Sequence, residues 1–452
     1  MVRVIPGVEV KVIKEIVPQA AYPSGTVALI GTAEMGPEMK PVHLGSWREF
    51  TGTFGDSTDY SMTLNAKQCF QNGVFEVVAT RIVGKGGEYA SAAVKDAEKA
   101  DTFEISAKAI GPSGNGLKYS VEAGSTEGTV RVLASDGEVF EVFDNLVMDS
   151  KSPMYMVRHL NDNSALIKAK DLKSKTKAPG NNPAVGQGSL KGGKAPGEPD
   201  QAAYEAALEY LEAEAEVEMV YACDVTDPKI HALIEAHCAN MSGEAMGRIG
   251  IGSVTDGESI EDIVKRTEVM SSDRFIVVAP HGAAGAVAGL ISRLDYFESP
   301  TFKPTQGMSE LEESYTPSKL RQLLNAGILP LRAQRGRGII VVKGISTSKE
   351  QISVTRTSDH AVRLVKSIGD QFIGTLNNAN GRSALKEKLT EVLLRMENEG
   401  AIVPSTDGTE PAFVVDVYSS QLDFAQGIVR VDLAVRPVRA IDFIYATVTV
   451  QA

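Results

Sequence analysis

The chain has 452 residues, 43% of them apolar, with a mean hydropathy of −0.08, enough to bury large cores and to form roughly three domains of about 150 residues each. Its 46 lysines and arginines against 58 acids leave a formal charge of −12, which argues against a nucleic-acid role that needs a strongly basic domain. Cys69, Cys223 and Cys238 are an odd number without CxxC spacing, so reduced structural thiols are expected and a disulfide framework is not.

The first ten residues, MVRVIPGVEV, hold no apolar core followed by a small-residue cleavage site, so a cytosolic chain is expected. Val8 to Val12 alternates strictly after Pro6-Gly7 and predicts a strand, while Pro18 and Pro23 make Gln19 to Ser24 a poor candidate for regular structure. From Val27 to Val83 the order is an apolar strand at Thr26 to Gly31, a second near Pro41 to Leu44, a helix at Ser61 to Asn72 and a strand at Val74 to Ile82. That order suggests α/β. Between Asp101 and about Met156 short alternating runs separated by glycine-rich turns predict a small all-β module. Lys168 to Asp200 then carries seven lysines, six glycines and four prolines, and reads as a mobile linker or long exposed loop.

A regular series follows. Helices at Gln201 to Glu216, Asp227 to Met241 and Ser259 to Ser271 alternate with strands at Val217 to Cys223, Gly247 to Ser253 and Arg274 to Ala279, which predicts a parallel sheet. Phe275 to Ser292 is eighteen residues without a formal charge, but Pro280-His281-Gly282 splits it into a buried strand and a small-residue helix, so no membrane insertion is expected. From Gly327 a final α+β unit is expected, with strands at Gly338 to Val342 and Gln351 to Thr355. Helices at Ser358 to Leu376 and Arg382 to Glu399 follow, the second with Leu385, Leu389, Val392, Leu393 and Met396 on one face. Ala412 to Ser420 and Ile428 to Arg436 alternate apolar and polar residues around a connecting loop, Gln421 to Gly427, and predict a hairpin. After Pro437 the last segment, Ile441 to Val450, is again β-rich.

Two strand-like ends invite exchange between copies, because an unpaired edge templates pairing with another chain, and head-to-tail donation propagates as a filament. From the residues alone, pairing of both ends within their own subunit stays equally open.

Chemical motifs return near misses. Gly188 to Lys194 has phosphate-loop spacing, but Ala195 stands where a Mg²⁺-binding Ser or Thr is required. Gly111-Pro-Ser113-Gly-Asn115 lacks the final glycine of a nucleophile elbow. Cys223, His231, His237 and Cys238 match no compact zinc spacing. No catalytic residue, cofactor or metal is assigned.

The segment Ala286 to Asp295 with Pro300 to Pro304, Gly307 to Leu311, Lys319-Leu320 and Leu324 to Arg332 resembles the contractile tail sheath family of phages. So do Gly336 to Thr347, Pro6 to Val10, Ile110 to Tyr119 and Asp423 to Pro437, in the family's order over nearly the whole chain. The resemblance implies an α/β and α+β multidomain fold, with a β-sandwich insertion, a subtilisin-like α/β domain and an α+β C-terminal domain between extended strand arms. On this reading residues 1–24 are the N-terminal arm, 25–95 the first part of the α/β core, 96–167 the sandwich, 168–200 a flexible linker, 201–332 the subtilisin-like domain, 333–440 the C-terminal domain and 441–452 the C-terminal arm strand. The Gly-Thr-Ser nucleophile signature of active subtilisins is absent, so the likeness concerns fold and no enzyme is expected.

The resemblance further implies helical polymerisation with itself around an inner tail tube protein, with baseplate and tail terminator proteins as further partners. Assembly would take place in the host cytoplasm, and contraction would drive the tube through a target envelope. Val8, Val10, Val12, Val448 and Val450 are the candidate pairing residues of the arms. Lys388 and Arg395, on the helix Arg382 to Glu399, are candidates for facing the tube, with a solvated polar face as the alternative. The competing classes are another self-assembling tube or shell protein and, further off, an α/β serine hydrolase.

Overall fold

A computed structural model describes residues 25–137 and 139–445. The chain begins with β1 (Thr26–Gly31), a short β2 (Val42–Leu44), α1 (Trp47–Phe54), α2 (Ser61–Gln71) and β3 (Glu76–Arg81). Every residue of β1 is buried, as its unbroken apolar run requires of a strand covered on both faces.

The chain then leaves this layer and builds a β-sandwich. Its strands are β4 (Ser91–Lys95), β5 (Asp101–Ala107), β6 (Lys118–Ala123), β7 (Val130–Ser135), β8 (Phe140–Leu146), β9 (Ile167–Asp171) and β10 (Gly186–Ser189), with α3 (Met156–Asn163) before β9. A three-stranded sheet, β4-β5-β9, faces a four-stranded sheet, β10-β6-β7-β8, across one core that includes Phe103, Ile105, Val121, Val132, Phe143 and Ile167.

The linker expected over residues 168–200 is therefore corrected. Lys168 to Asp171 belong to β9, which pairs antiparallel with β5 from Phe103↔Asp171 to Ala107↔Ile167, and Gly186 to Ser189 pair with β6. Ile167, Ala169 and Leu190 are buried, so the segment completes the sandwich, which also begins earlier than residue 96, at β4. Composition hid this because the pairing is made by backbone groups, and the lysines alternate outward. The phosphate-loop-like Gly188-Ser189 lies within β10.

Back in the body come α4 (Gln201–Leu211), β11 (Val217–Ala222), α5 (Pro228–Gly243), β12 (Ile249–Ser253), α6 (Ile260–Glu268), β13 (Phe275–Ala279), α7 (Ala284–Arg293), α8 (Pro317–Ala326), β14 (Ile328–Gln334) and β15 (Gly338–Val341). They complete an eight-stranded sheet of order β15-β14-β13-β12-β11-β1-β3-β2. Pairing is parallel from β14 through β3, and antiparallel at both edges. Helices cover both faces around two separate cores. The strand expected at Gly338 to Val342 as part of the C-terminal unit is β15, and together with β14, which the sequence reading did not assign, it belongs to this sheet. The apolar run from Phe275 divides into β13 and α7, and no helix among the described residues is long and apolar enough to cross a membrane.

The C-terminal unit is α9 (Ile352–Phe372), α10 (Ala379–Asn398), β16 (Phe413–Tyr418), α11 (Gln421–Ala425) and β17 (Arg430–Val435). Gln351 to Thr355, expected as a strand, is the N-cap and first turn of α9. The β-branched Ile352, Val354 and Thr355 suggested extension, but a helical face of Ile352, Thr355, Arg356, Asp359 and Arg363 buries against the body and overrides that preference. Arg363 donates to the carbonyls of Val217 (2.8 Å) and Gly247 (2.9 Å), and Arg274 grips the Asp359 carboxylate at 2.8 and 2.7 Å. One continuous helix thus joins the body to the C-terminal unit.

Candidate assembly surface

The strands β16 and β17 pair in register from Phe413↔Val435 to Tyr418↔Arg430, as a sheet of two strands. Phe413, Val415 and Val417 on one strand and Val431, Leu433 and Val435 on the other turn inward. They pack on the stripe of α10 formed by Leu385, Leu389, Leu393 and Met396, and on Ala361 and Ile368 of α9. The alternating sequence produces this one-sided sheet directly. Its other face is open: Val414 is 55% exposed and Tyr418 39%. Among the described residues no third strand pairs with β16 or β17. Backbone bonds hold only the root, from Val403 N to Arg436 O (3.0 Å) and from Val438 N to Ala401 O (2.9 Å).

The far end is braced by charge. The expected loop Gln421 to Gly427 contains α11, whose N-cap Ser420 forms a capping box with Asp423. Arg430 clasps the Asp423 carboxylate at 2.8 and 3.1 Å, and these hydrogen bonds hold its carboxyl at about 2, below the usual range. The same brace leaves Leu422 and Phe424 exposed, near the α9–α10 turn to which Asn377 ties the hairpin through Ser419 and Ile428.

The residues singled out from sequence fall as follows. Val8, Val10, Val12, Val448 and Val450 lie outside the described residues. Lys388 and Arg395 both lie on α10, flanking its buried stripe; Lys388 is within 3.6 Å of Glu391, and Arg395 is exposed. His231 and His237 do not converge: the first contacts the Val225 carbonyl at 2.9 Å and the second the Arg248 guanidinium at 2.8 Å, and burial lowers the pKa of each to about 4. Cys223 and Cys238 are buried, and burial pushes both thiols up. Sequence reasoning missed the contacts at the root of the last segment, described below, because they join residues almost ninety positions apart.

An α/β body with a sandwich insertion and a helix-backed, two-edged hairpin defines a multidomain protein whose distinctive surface suits strand addition. Comparison with known proteins makes that class specific. The model of the phage tail sheath protein central domain matches residues 197–347, and that of the phage tail sheath C-terminal domain matches residues 346–451. Together they span more than half of the chain, which belongs to the phage tail sheath family.

The tail sheath protein of Staphylococcus phage Twort is 26% identical over 269 residues, covering 51% of this chain and 43% of that protein, so the match spans less than half of the relative's length. In fold, a sheath tail protein from Listeria innocua matches with a TM-score of 0.70 at 16% identity over 92% of this chain and 93% of that one. The contracted helical sheath of the anti-feeding prophage matches at 0.56 and 14% identity over 99% of each chain.

Proposed function

We propose that this chain is the structural subunit of a contractile tail sheath. It polymerises helically around an inner tail tube by exchanging its terminal strands, and contraction drives the tube through a target cell envelope. The observation that carries the reading is the hairpin β16–β17, apolar beneath, backed by two helices and unpaired along both edges among the described residues. Such an edge takes an incoming strand by main-chain hydrogen bonds, which persist while the bodies of donor and acceptor change their relative position. Family membership and the likeness in fold to a contracted sheath support the same reading.

The donors are the alternating ends, through Val8, Val10 and Val12 at one terminus and Val448 and Val450 at the other. Repacking of the bodies into a contact-richer arrangement releases the energy of contraction, while the arms keep neighbours tethered. The partners are further copies of the chain, the inner tube protein, and the baseplate and tail terminator proteins. Subunits assemble in the host cytoplasm into a virion tail or tail-like particle. Lys388 and Arg395 on α10 face the tube, and charge reversal at both weakens docking in a salt titration.

Negative-stain electron microscopy of the full chain beside one lacking Met1 to Val17 tests the reading. Wide hollow tubes from the first and dispersed particles from the second are expected. Proline at Val10 or Val448 removes a ladder donor, so tubes that assemble normally with either substitution would refute strand exchange.

A further inference from the structure

The segment that leaves the hairpin is held at one point by an unusual use of a helix cap. Gln351 is the N-cap of α9 but makes no side-chain cap bond, as expected of a residue type that caps poorly. Its amide instead reads the backbone 89 positions away. Gln351 Oε1 accepts from Ala440 N at 2.9 Å, while Nε2 donates to Ala440 O at 3.1 Å and to Asp442 Oδ2 at 2.8 Å. This pairing imitates one rung of a β-ladder with a side chain in place of a strand.

Neighbours on the same loop complete the grip. Arg439 meets Glu350 through two hydrogen bonds, 2.9 and 3.2 Å, and Lys343 pairs with Asp442 at 3.2 Å while its ammonium lies 5.1 Å from the centre of the Phe443 ring. Gln351 is 7% exposed, so its bonds form in a largely water-excluded setting where they hold best. Beyond the grip burial ends: Ile444 is 85% exposed and Tyr445 94%, with the Tyr445 ring stacked only loosely on Phe443 at 6.5 Å.

We infer that Gln351, flanked by Lys343 and Glu350, is an exit clamp that fixes the direction in which the C-terminal segment leaves the subunit. The inference rests on the strand-exchange reading above. Pro437 and Asp442 bound a fixed strut, and the pivot of the arm lies past Asp442. Each residue of an arm adds at most about 3.5 Å of reach, so the angle at which the arm departs decides which neighbour's hairpin it meets. The clamp thereby converts the position of α9 in the body into a choice of partner. Asp442 also keeps Oδ1 buried without a hydrogen-bond partner, so the carboxylate is committed to the clamp through its other oxygen alone.

Q351A and the near-isosteric Q351M, each in the full chain, test the clamp at two levels. Trypsin cleavage after Arg439 reads local release without any need for assembly. Losing three hydrogen bonds should raise the cleavage rate about tenfold or more in both variants while thermal unfolding of the body stays unchanged. Negative-stain microscopy then reads the consequence, with short or irregular tubes expected from both variants. Unchanged cleavage would overturn the clamp, and released cleavage with normal tubes would overturn its role in choosing the neighbour. A chain ending at Ala440 separates the two readings: if it still forms normal tubes, strand exchange by the C-terminal arm fails by itself, whatever Gln351 does.

Discussion

The sheet of the body and the sheet of the C-terminal unit handle their edges in opposite ways. In the body, the edge strand β2 has three residues and its central His43 is tied to Glu76 and Glu214. The other edge, β15, is covered by the 302–305 turn, through Phe302 N to Val341 O (2.8 Å), Val341 N to Lys303 O (3.1 Å) and Thr305 N to Ile339 O (2.9 Å). Short strands, charge and a covering loop are the usual means of stopping a sheet from recruiting another chain. The hairpin β16–β17 has neither a short strand nor a covering loop along its six-residue strands, and the charges it carries, Asp416, Arg430 and Asp432, all lie on its exposed face. One protein thus closes the sheet that holds it together and leaves open the sheet we assign to joining copies, which implies that stability and assembly are separable by mutation.

The largest effect should come from the closed sheet. Phe275 on β13 is wholly buried and touches His231 at 5.4 Å between ring centres. Phe275→Ala should cost roughly 3–5 kcal/mol in denaturant unfolding, by lost burial plus a cavity that a sheet covered on both faces cannot collapse. A smaller but still large loss is expected at Arg81, 1% exposed, which donates to the carbonyls of Ala33 (3.0 Å) and Gly36 (3.1 Å) in the body and Ile110 (3.0 Å) in the sandwich. Arg81→Met strands these acceptors and should cost roughly 3 kcal/mol. Hydrogen exchange should then show the sandwich loosening ahead of the body; loosening spread evenly over both would remove Arg81 as their joint.

Under the open sheet the same kind of deletion should be cheaper. Leu389 on α10 is fully buried, but in a small cluster whose other side is the thin hairpin. Leu389→Ala should cost about 2 kcal/mol, because two strands with one free face can settle onto the gap. Hydrogen exchange should rise in β16 and β17 alone. A cost equal to that of Phe275→Ala would mean that the hairpin is as rigid as the body and would break the contrast.

How much of this was legible in the sequence follows the same division. The strands of the body announce themselves as unbroken apolar runs, TVALIG, VEMVYA and FIVVA, because both of their faces are buried. The hairpin announces itself by alternation, because one face is not. What stayed hidden was pairing made by the backbone alone. Lys168 and Lys170 sit in β9 and Gly186 and Gly188 in β10, and no side-chain pattern reports a ladder bond. The first turn of α9 was misread for the converse reason, since local β-branched residues cannot report the buried arginine contacts further along the helix. Gln351 gave no signal, as its partner is distant in sequence.

The smallest effect is the one that tests how the body's edge is closed. His43 lies between two carboxylates, 3.1 Å from Glu76 and 2.9 Å from Glu214, and can donate to both only when each ring nitrogen carries a hydrogen. Burial alone would lower its pKa, but the Glu76 hydrogen bond and the charges of Glu214 and Glu76 outweigh burial and raise it above 6.5. A raised folded pKa means that the stabilisation is fully present below the unfolded value and is lost as pH rises through the folded one. With 46% of the side chain exposed, solvent screening holds the effect to about 0.5 kcal/mol or less. The gap in unfolding free energy between the natural chain and His43→Gln should therefore be widest below the unfolded histidine value, while Glu76 and Glu214 stay ionised, and should close as pH rises through the folded value, since groups that do not interact with His43 are common to both and cancel. It should also shrink as salt is raised. A gap independent of pH would mean that His43 closes the edge by its shape and not by its charge, and β2 would then be protected by its three-residue length alone.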